Sequence, residues 1–136
     1  MKPAVMVSIG LLLAACAGTA EHQTPLPYLP REAPPPPGTV GIALTAGYVG
    51  RLLVERGCVK LDGGRRRTTM LWTPGTTIGR DARGLFLRES HAGGVVRFGA
   101  KIHIGGGELP EQFVARAYPE VVQRCGGPYA QGWISD

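Results

Sequence analysis

No apolar run in the chain is long enough to cross a bilayer, which takes about 20 residues. The nearest candidate, Val5 to Leu13, stops well short. Cysteine is scarce, at 3 in 136 residues, and no C-x-x-C or H-x-x-x-H pairing offers zinc a ligand set. Beyond the first apolar run the serines are Ser90 and Ser135, and neither lies in a G-x-S-x-G elbow. The glycines 105–107 lack the following helix and lysine of a phosphate loop. These absences remove the common signatures of a zinc enzyme, a serine hydrolase and a nucleotide-binding protein. We expect no catalytic set, no metal and no cofactor, and the chain reads as a non-enzyme.

What is present begins at the N-terminus. Lys2 followed by the short apolar run is the basic n-region and h-region of a secretory signal. The run ends on Leu13-Ala14-Ala15-Cys16, which resembles the lipobox of bacterial lipoproteins. The resemblance implies a diacylglycerol thioether on Cys16, cleavage between Ala15 and Cys16, and often acylation of the new amine. Two or three acyl chains anchor stably where one chain holds only marginally. Ala17 stands where an aspartate would favour retention at the inner membrane, so the expected address is the outer membrane, facing the periplasm. The plainer alternative is an ordinary signal peptide in which Ala14-Ala15 serve cleavage.

Residues 17–38 change character and hold seven of the 12 prolines. Proline fixes φ and removes a donor, so this stretch suits neither a helix interior nor a central strand. It reads as a semi-rigid tether of about 3 Å per residue, or as a docking site for a proline-binding module. The expected organisation is a signal peptide over 1–15, a lipidated Cys16 with a proline-rich linker over 16–38, and one domain over 39–136. Loss of Lys2 leaves 14 basic against 10 acidic residues, a net +4 that suits weak attraction to anionic surfaces without choosing among them.

With Cys16 assigned to lipid, Cys58 and Cys125 remain. An exported compartment is oxidising, so the simplest use of the pair is a disulfide. On the chain-entropy model, closing a loop of 67 positions contributes about 4 kcal/mol. The sharper alternative is a metal site recruiting His91 or His103.

Short β-like runs fill the domain: 48–55, 58–61, 67–72, 85–89, 94–99, 100–105 and 129–135. Gly-rich turn signals separate them, including 62–64, 81–84, 91–94 and 105–107, a spacing that argues for a small antiparallel barrel or sandwich. Alternation places Lys60 outward, and sets Lys101 and His103 on the face opposite Ile102 and Ile104. One segment differs. Over 109–125, Phe113, Val114, Ala117, Tyr118, Val121 and Val122 recur at helical spacing, and Pro119 must end this helix or start a second.

The stretches "GRLLVERGCVKL", "MLWTPGTTI", "VVRFGAKIHIGGGE" and "RCGGPYAQGW" together resemble a group of small bacterial lipoproteins and secreted domains of no assigned activity. The resemblance implies an OB-like, partly open barrel of five or six strands, mainly β, with one short helical segment near the C-terminus.

The strongest electrostatic feature is Arg65, Arg66 and Arg67 in a predicted hairpin loop. They are candidate anion-binding residues, or else a solubilising loop tip. The expected function is that of a lipid-anchored envelope protein, a binding or structural module that contacts envelope proteins or cell-wall polymer. Nucleic acid is not expected as a partner, because the domain lies outside the cytoplasm. Two alternatives stand beside this reading. A lysozyme-type hydrolase would need Glu55, Glu89 or Glu108 to face another carboxylate across a pocket. An enzyme inhibitor would present the loop 62–67.

Overall fold

The computed structural model describes residues 23–90 and 93–134. Cys16, the signal peptide, His91 and Ser135 lie outside the described residues. The chain forms β1 (Ala46–Glu55), β2 (Cys58–Asp62), β3 (Arg67–Trp72), β4 (Thr77–Asp81), β5 (Gly84–Arg88), β6 (Val95–Arg97), β7 (Lys101–Leu109), helices α1 (Glu111–Ala117) and α2 (Pro119–Cys125), and β8 (Tyr129–Ile134).

Five of these strands close a barrel in the order β1-β2-β3-β8-β7. All pairs are antiparallel except β3 with β8, which run parallel. Period-2 alternation turns Leu52, Val59, Leu61, Met70, Trp72, Ile102, Ile104, Ala130 and Ile134 into one buried cluster. Arg56 and Gly57 join β1 to β2 with positive φ at both residues, the requirement of a tight two-residue turn whose twist matches the strands.

The stretch β4-β5-β6 forms a separate three-stranded sheet. Leu87 is fully buried in the barrel cluster, and Ile78 and Val96 pack beside it, so this face covers the barrel. On the outward face Phe86 lies over Gly79, between the Arg88 and Arg97 guanidiniums at 5.8 and 5.0 Å from its ring. Arg97 forks onto both Asp81 oxygens at 2.6 and 2.7 Å and holds that carboxyl down at about 2. Residues 77–81 were not among the expected strands. Thr76-Thr77-Ile78-Gly79 is too short for its alternation to stand out beside the turn residues around it.

The helical segment is two helices, with Pro119 at the first turn of the second, where its missing N–H costs nothing. Val114 and Val121 bury against Leu71 and Tyr129 on the outer wall of the barrel, together with Cys58 and Cys125. Cys58 and Cys125 are bonded, with Cα atoms 5.6 Å apart and both residues buried. Lys60 shares the outer face of β2 with Cys58, but that face is not open as alternation had suggested. Lys60 is buried, and its Nζ lies 3.2 Å from Glu55 Oε2.

Part of the proline-rich stretch is bonded to the barrel. β2 and β3 pair only at Leu61–Thr68 and Asp62–Arg67, then part. Residues 28–32 take up the positions left open. Tyr28 bonds to Gly57 and Val59, and Pro30 and Glu32 bond to Trp72. Proline donates nothing, but Pro30 needs only its carbonyl here. Leu29 and Pro30 are buried. The tether expected over 16–38 therefore has a middle stretch, residues 28–32, bonded to the domain.

The glycines 105–107 lie inside β7, where a turn end had been expected. A side chain at Gly105 would overlap the Trp133 ring, one at Gly106 would overlap the Gln131 carbonyl, and one at Gly107 would meet Leu44. Neighbouring groups cross so close to this strand that only glycine fits. Among the described residues no helix is long and apolar enough to cross a membrane.

Candidate functional site

The three arginines do not form a free cationic cluster. Arg66 pairs with Glu108 of β7. Arg67 Nη1 lies 2.6 Å from Glu55 Oε1, and its Nε lies 3.8 Å from Asp62 Oδ2. Arg67 and Lys60 hold the Glu55 carboxyl below its usual range. Among the described residues Arg65 is the one of the three without an ion pair. Asp62 belongs to the same hairpin, but Glu55 and Glu108 come from β1 and β7, which a local reading of the loop does not see.

His103 and Lys101 are exposed on β7, as alternation predicts. Cys58 and Cys125 are committed to each other. Among the described residues no group of three or more His, Cys, Asp and Glu side chains could hold a metal ion.

A second constellation emerges beside β8. After Glu32 the chain leaves the barrel, turns at Pro36 to Thr39, and returns along β8 to enter β1 at Ala46. This arch, residues 33–45, makes one backbone–backbone bond among the described residues, Thr39 N–H to the Pro36 carbonyl within its own turn. Everything else that holds its main chain is a side chain. The Leu44 N–H donates to Gln131 Oε1 at 2.9 Å, and Gln131 Nε2 donates to the Ile42 carbonyl at 3.2 Å. Trp133 Nε1 donates to the Leu44 carbonyl at 3.1 Å. At the other foot the Ala33 N–H donates to the Tyr118 hydroxyl at 3.3 Å.

Between the arch and the barrel wall lies a cavity of about 580 Å³. Glu32 with arch residues Ala33, Pro35 and Gly41–Ala43 forms one side, and Thr73–Gly75, Glu89, Tyr118, Gln131 and Trp133 form the other. The strand period explains the wall. Gln131 and Trp133 point out of the barrel because Ala130 and Ile134 point in. Glu89 sits just past the end of β5 and is buried. Its Oε2 accepts from the Ile134 N–H at 3.0 Å and its Oε1 from the Thr73 hydroxyl at 2.9 Å. Glu32 is half-buried and accepts from Gln131 Nε2 at 2.9 Å. Burial raises its pKa, against the lowering effect of that hydrogen bond.

Two carboxylates thus share one cavity, Glu89 anticipated and Glu32 not. Glu55 and Glu108 are elsewhere, paired with Arg67 and Arg66. Gln131, Trp133, Tyr118 and Leu44 were also unanticipated. The available signal was the alternation in "YAQGWIS", which sets Gln131 and Trp133 on one face, together with the three glycines opposite them in β7. Comparison with known proteins finds no family model, no curated protein and no solved structure that matches the chain.

Proposed function

We propose that the protein is an exported, lipid-anchored module of the cell envelope that binds a partner without catalysis. The cavity beneath the arch carries the binding part of this reading. Its walls hold polar groups that recognise main chain, and its two carboxylates are already engaged by Ile134, Thr73 and Gln131. The export part is supported by the use of cysteine. Two thiols are joined and buried, which suits an oxidising compartment, and the third stands at the end of a lipobox-like segment. The barrel order, with β3 and β8 parallel, supports an OB-like domain of the kind carried by small bacterial lipoproteins. The eleven residues between Cys16 and the docked Tyr28 would then space the barrel from the outer membrane, on its periplasmic side.

Intact-mass measurement of protein extracted from membranes tests this directly. The expected product begins at Cys16 and carries a diacylglyceryl adduct, and Cys16→Ser should release it from the membrane fraction. A mature chain beginning elsewhere, or unmodified at Cys16, contradicts it.

Glu32 and Glu89 in one cavity also favour a second reading, a glycan hydrolase. Release of reducing ends from purified peptidoglycan, abolished by Glu32→Gln, would support that reading. No release would leave the cavity to binding.

A further inference from the structure

The arch is held in an unusual way for a segment that runs beside a strand. β8 already pairs with β3 and β7, so it has no free ladder edge for residues 42–44. The side chains of Gln131 supply the missing edge. One amide both accepts from Leu44 and donates to Ile42, which is how a neighbouring strand would address an extended chain. Trp133 adds a third bond, to the Leu44 carbonyl. All three are to main chain and would serve any sequence. Side-chain selection enters at one place. Leu44 rests over Gly107, where an added Cβ would lie 2.5 Å from its Cδ1 and 2.6 Å from its Cβ.

The arch itself gains little by lying there. Val40 is 94% exposed and Ile42 is 82% exposed. Removing apolar area from water is what fixes most segments, and these two side chains forgo it.

The geometry points to a peptide-binding groove: Gln131, Trp133 and the seat over Gly107 take an extended segment of a partner protein, with an aliphatic residue in the seat, and the arch occupies the groove in its absence. Main-chain bonds supply affinity and the seat supplies specificity, the usual division in recognition of extended peptides. The inference deepens the binding-module reading and rests on it for the groove's use, but the test below is made in solution and is independent of Cys16.

The probe is a labelled peptide of the arch's own sequence, Val40 to Thr45, titrated into the full chain in detergent. In the wild-type chain the tethered arch competes at an effective concentration on the order of millimolar, so binding is weak. Leu44→Gly vacates the seat, and the probe should then bind about tenfold tighter or more. Adding Gly107→Ala should abolish that gain. The nearest neighbours of the new methyl are Leu44 atoms, which Leu44→Gly removes, so the double variant retains its fold. A probe N-methylated at its leucine, which cannot donate to Gln131, should not bind. Should Leu44→Gly fail to fold, the wild-type chain still decides the question: saturating probe should expose the Leu44 amide to fast hydrogen exchange. Equal binding by the single and double variants, unaltered binding of the N-methylated probe, or Leu44 protection unchanged at saturation would each overturn the assignment. So would binding of a peptidoglycan glycan-chain fragment in place of the peptide.

Discussion

The two flanks of the barrel are built on opposite terms. On one, α1 and α2 bury Val114 and Val121 against Leu71 and Tyr129, and the Cys58–Cys125 bond crosses the contact. On the other, the arch lies along β8 through hydrogen bonds with Gln131, Trp133 and Tyr118, with Val40 and Ile42 in water. The first flank is closed by apolar burial and by a covalent link that persists even in the unfolded chain. The second is closed by four polar contacts, each worth about 1 kcal/mol net when water competes for the same groups. A small barrel needs the first kind of closure to persist. The second kind can open while the barrel stays folded, and a binding surface needs that property.

Substitutions separate the two flanks, and the largest effect belongs to the closed one. Cys58→Ser with Cys125→Ser should lower stability by about 4 kcal/mol, from the closure entropy of the 67-residue loop. For a domain of this size that is a Tm fall of roughly 15 °C or more, measurable by calorimetry. A fall of a few degrees would mean that helix packing alone closes that flank.

Gln131→Ala removes three hydrogen bonds at once, to Leu44, Ile42 and Glu32. The arch is exposed enough for water to replace the protein partner, so the expected loss is only about 1–2 kcal/mol. Trp133 should become more accessible to a fluorescence quencher, while the helical circular dichroism stays unchanged. Loss of cooperative unfolding in this variant would place the arch inside the core unit and erase the distinction.

Glu32 gives a smaller effect with a defined sign. Burial raises its folded pKa, so between the ordinary carboxylate value and the raised one the folded chain keeps a proton that the unfolded chain has lost. Stability should therefore decline as pH rises through that window, by this group's contribution. Glu32→Gln should remove that part of the decline and leave the arch bond to Gln131 able to form. Denaturant midpoints measured from pH 4 to pH 7 check it, and parallel curves for the two proteins would contradict it. Smallest of all, Ile42→Ala should move stability by less than about 0.5 kcal/mol, since the side chain is largely in water already.

The two flanks also differ in how far they could be read from residue order. The closed flank was legible. Helical spacing of Val114, Val121 and Val122 marks the helices, alternation marks β2, β3 and β8, and the two cysteines left once Cys16 is set aside predict their own bond. The arch was not, because prolines at 34–37 carry the same signal in a free linker as in a docked one. Nothing local tells Tyr28–Glu32 that β2 and β3 part beyond Leu61, or tells Gly105–Gly107 that Trp133 and Leu44 will lie on them. The arginines erred the other way. Their charge is obvious in sequence, and the carboxylates that answer two of them lie at positions 55, 62 and 108, the first two brought near by the β1-β2-β3 hairpins and the last by barrel closure.

Native-state hydrogen exchange at the Leu44 amide tests the contrast most directly. Leu44 N–H is bonded to a side chain of the arch's seat, and the amides of β7 are bonded within the barrel ladder. In low denaturant the Leu44 amide should exchange through a local opening, with a free energy several kcal/mol below that of the β7 amides and nearly independent of denaturant. Exchange of Leu44 at the same free energy as β7, with the same denaturant dependence, would show that the arch opens only when the barrel unfolds, and would contradict the account.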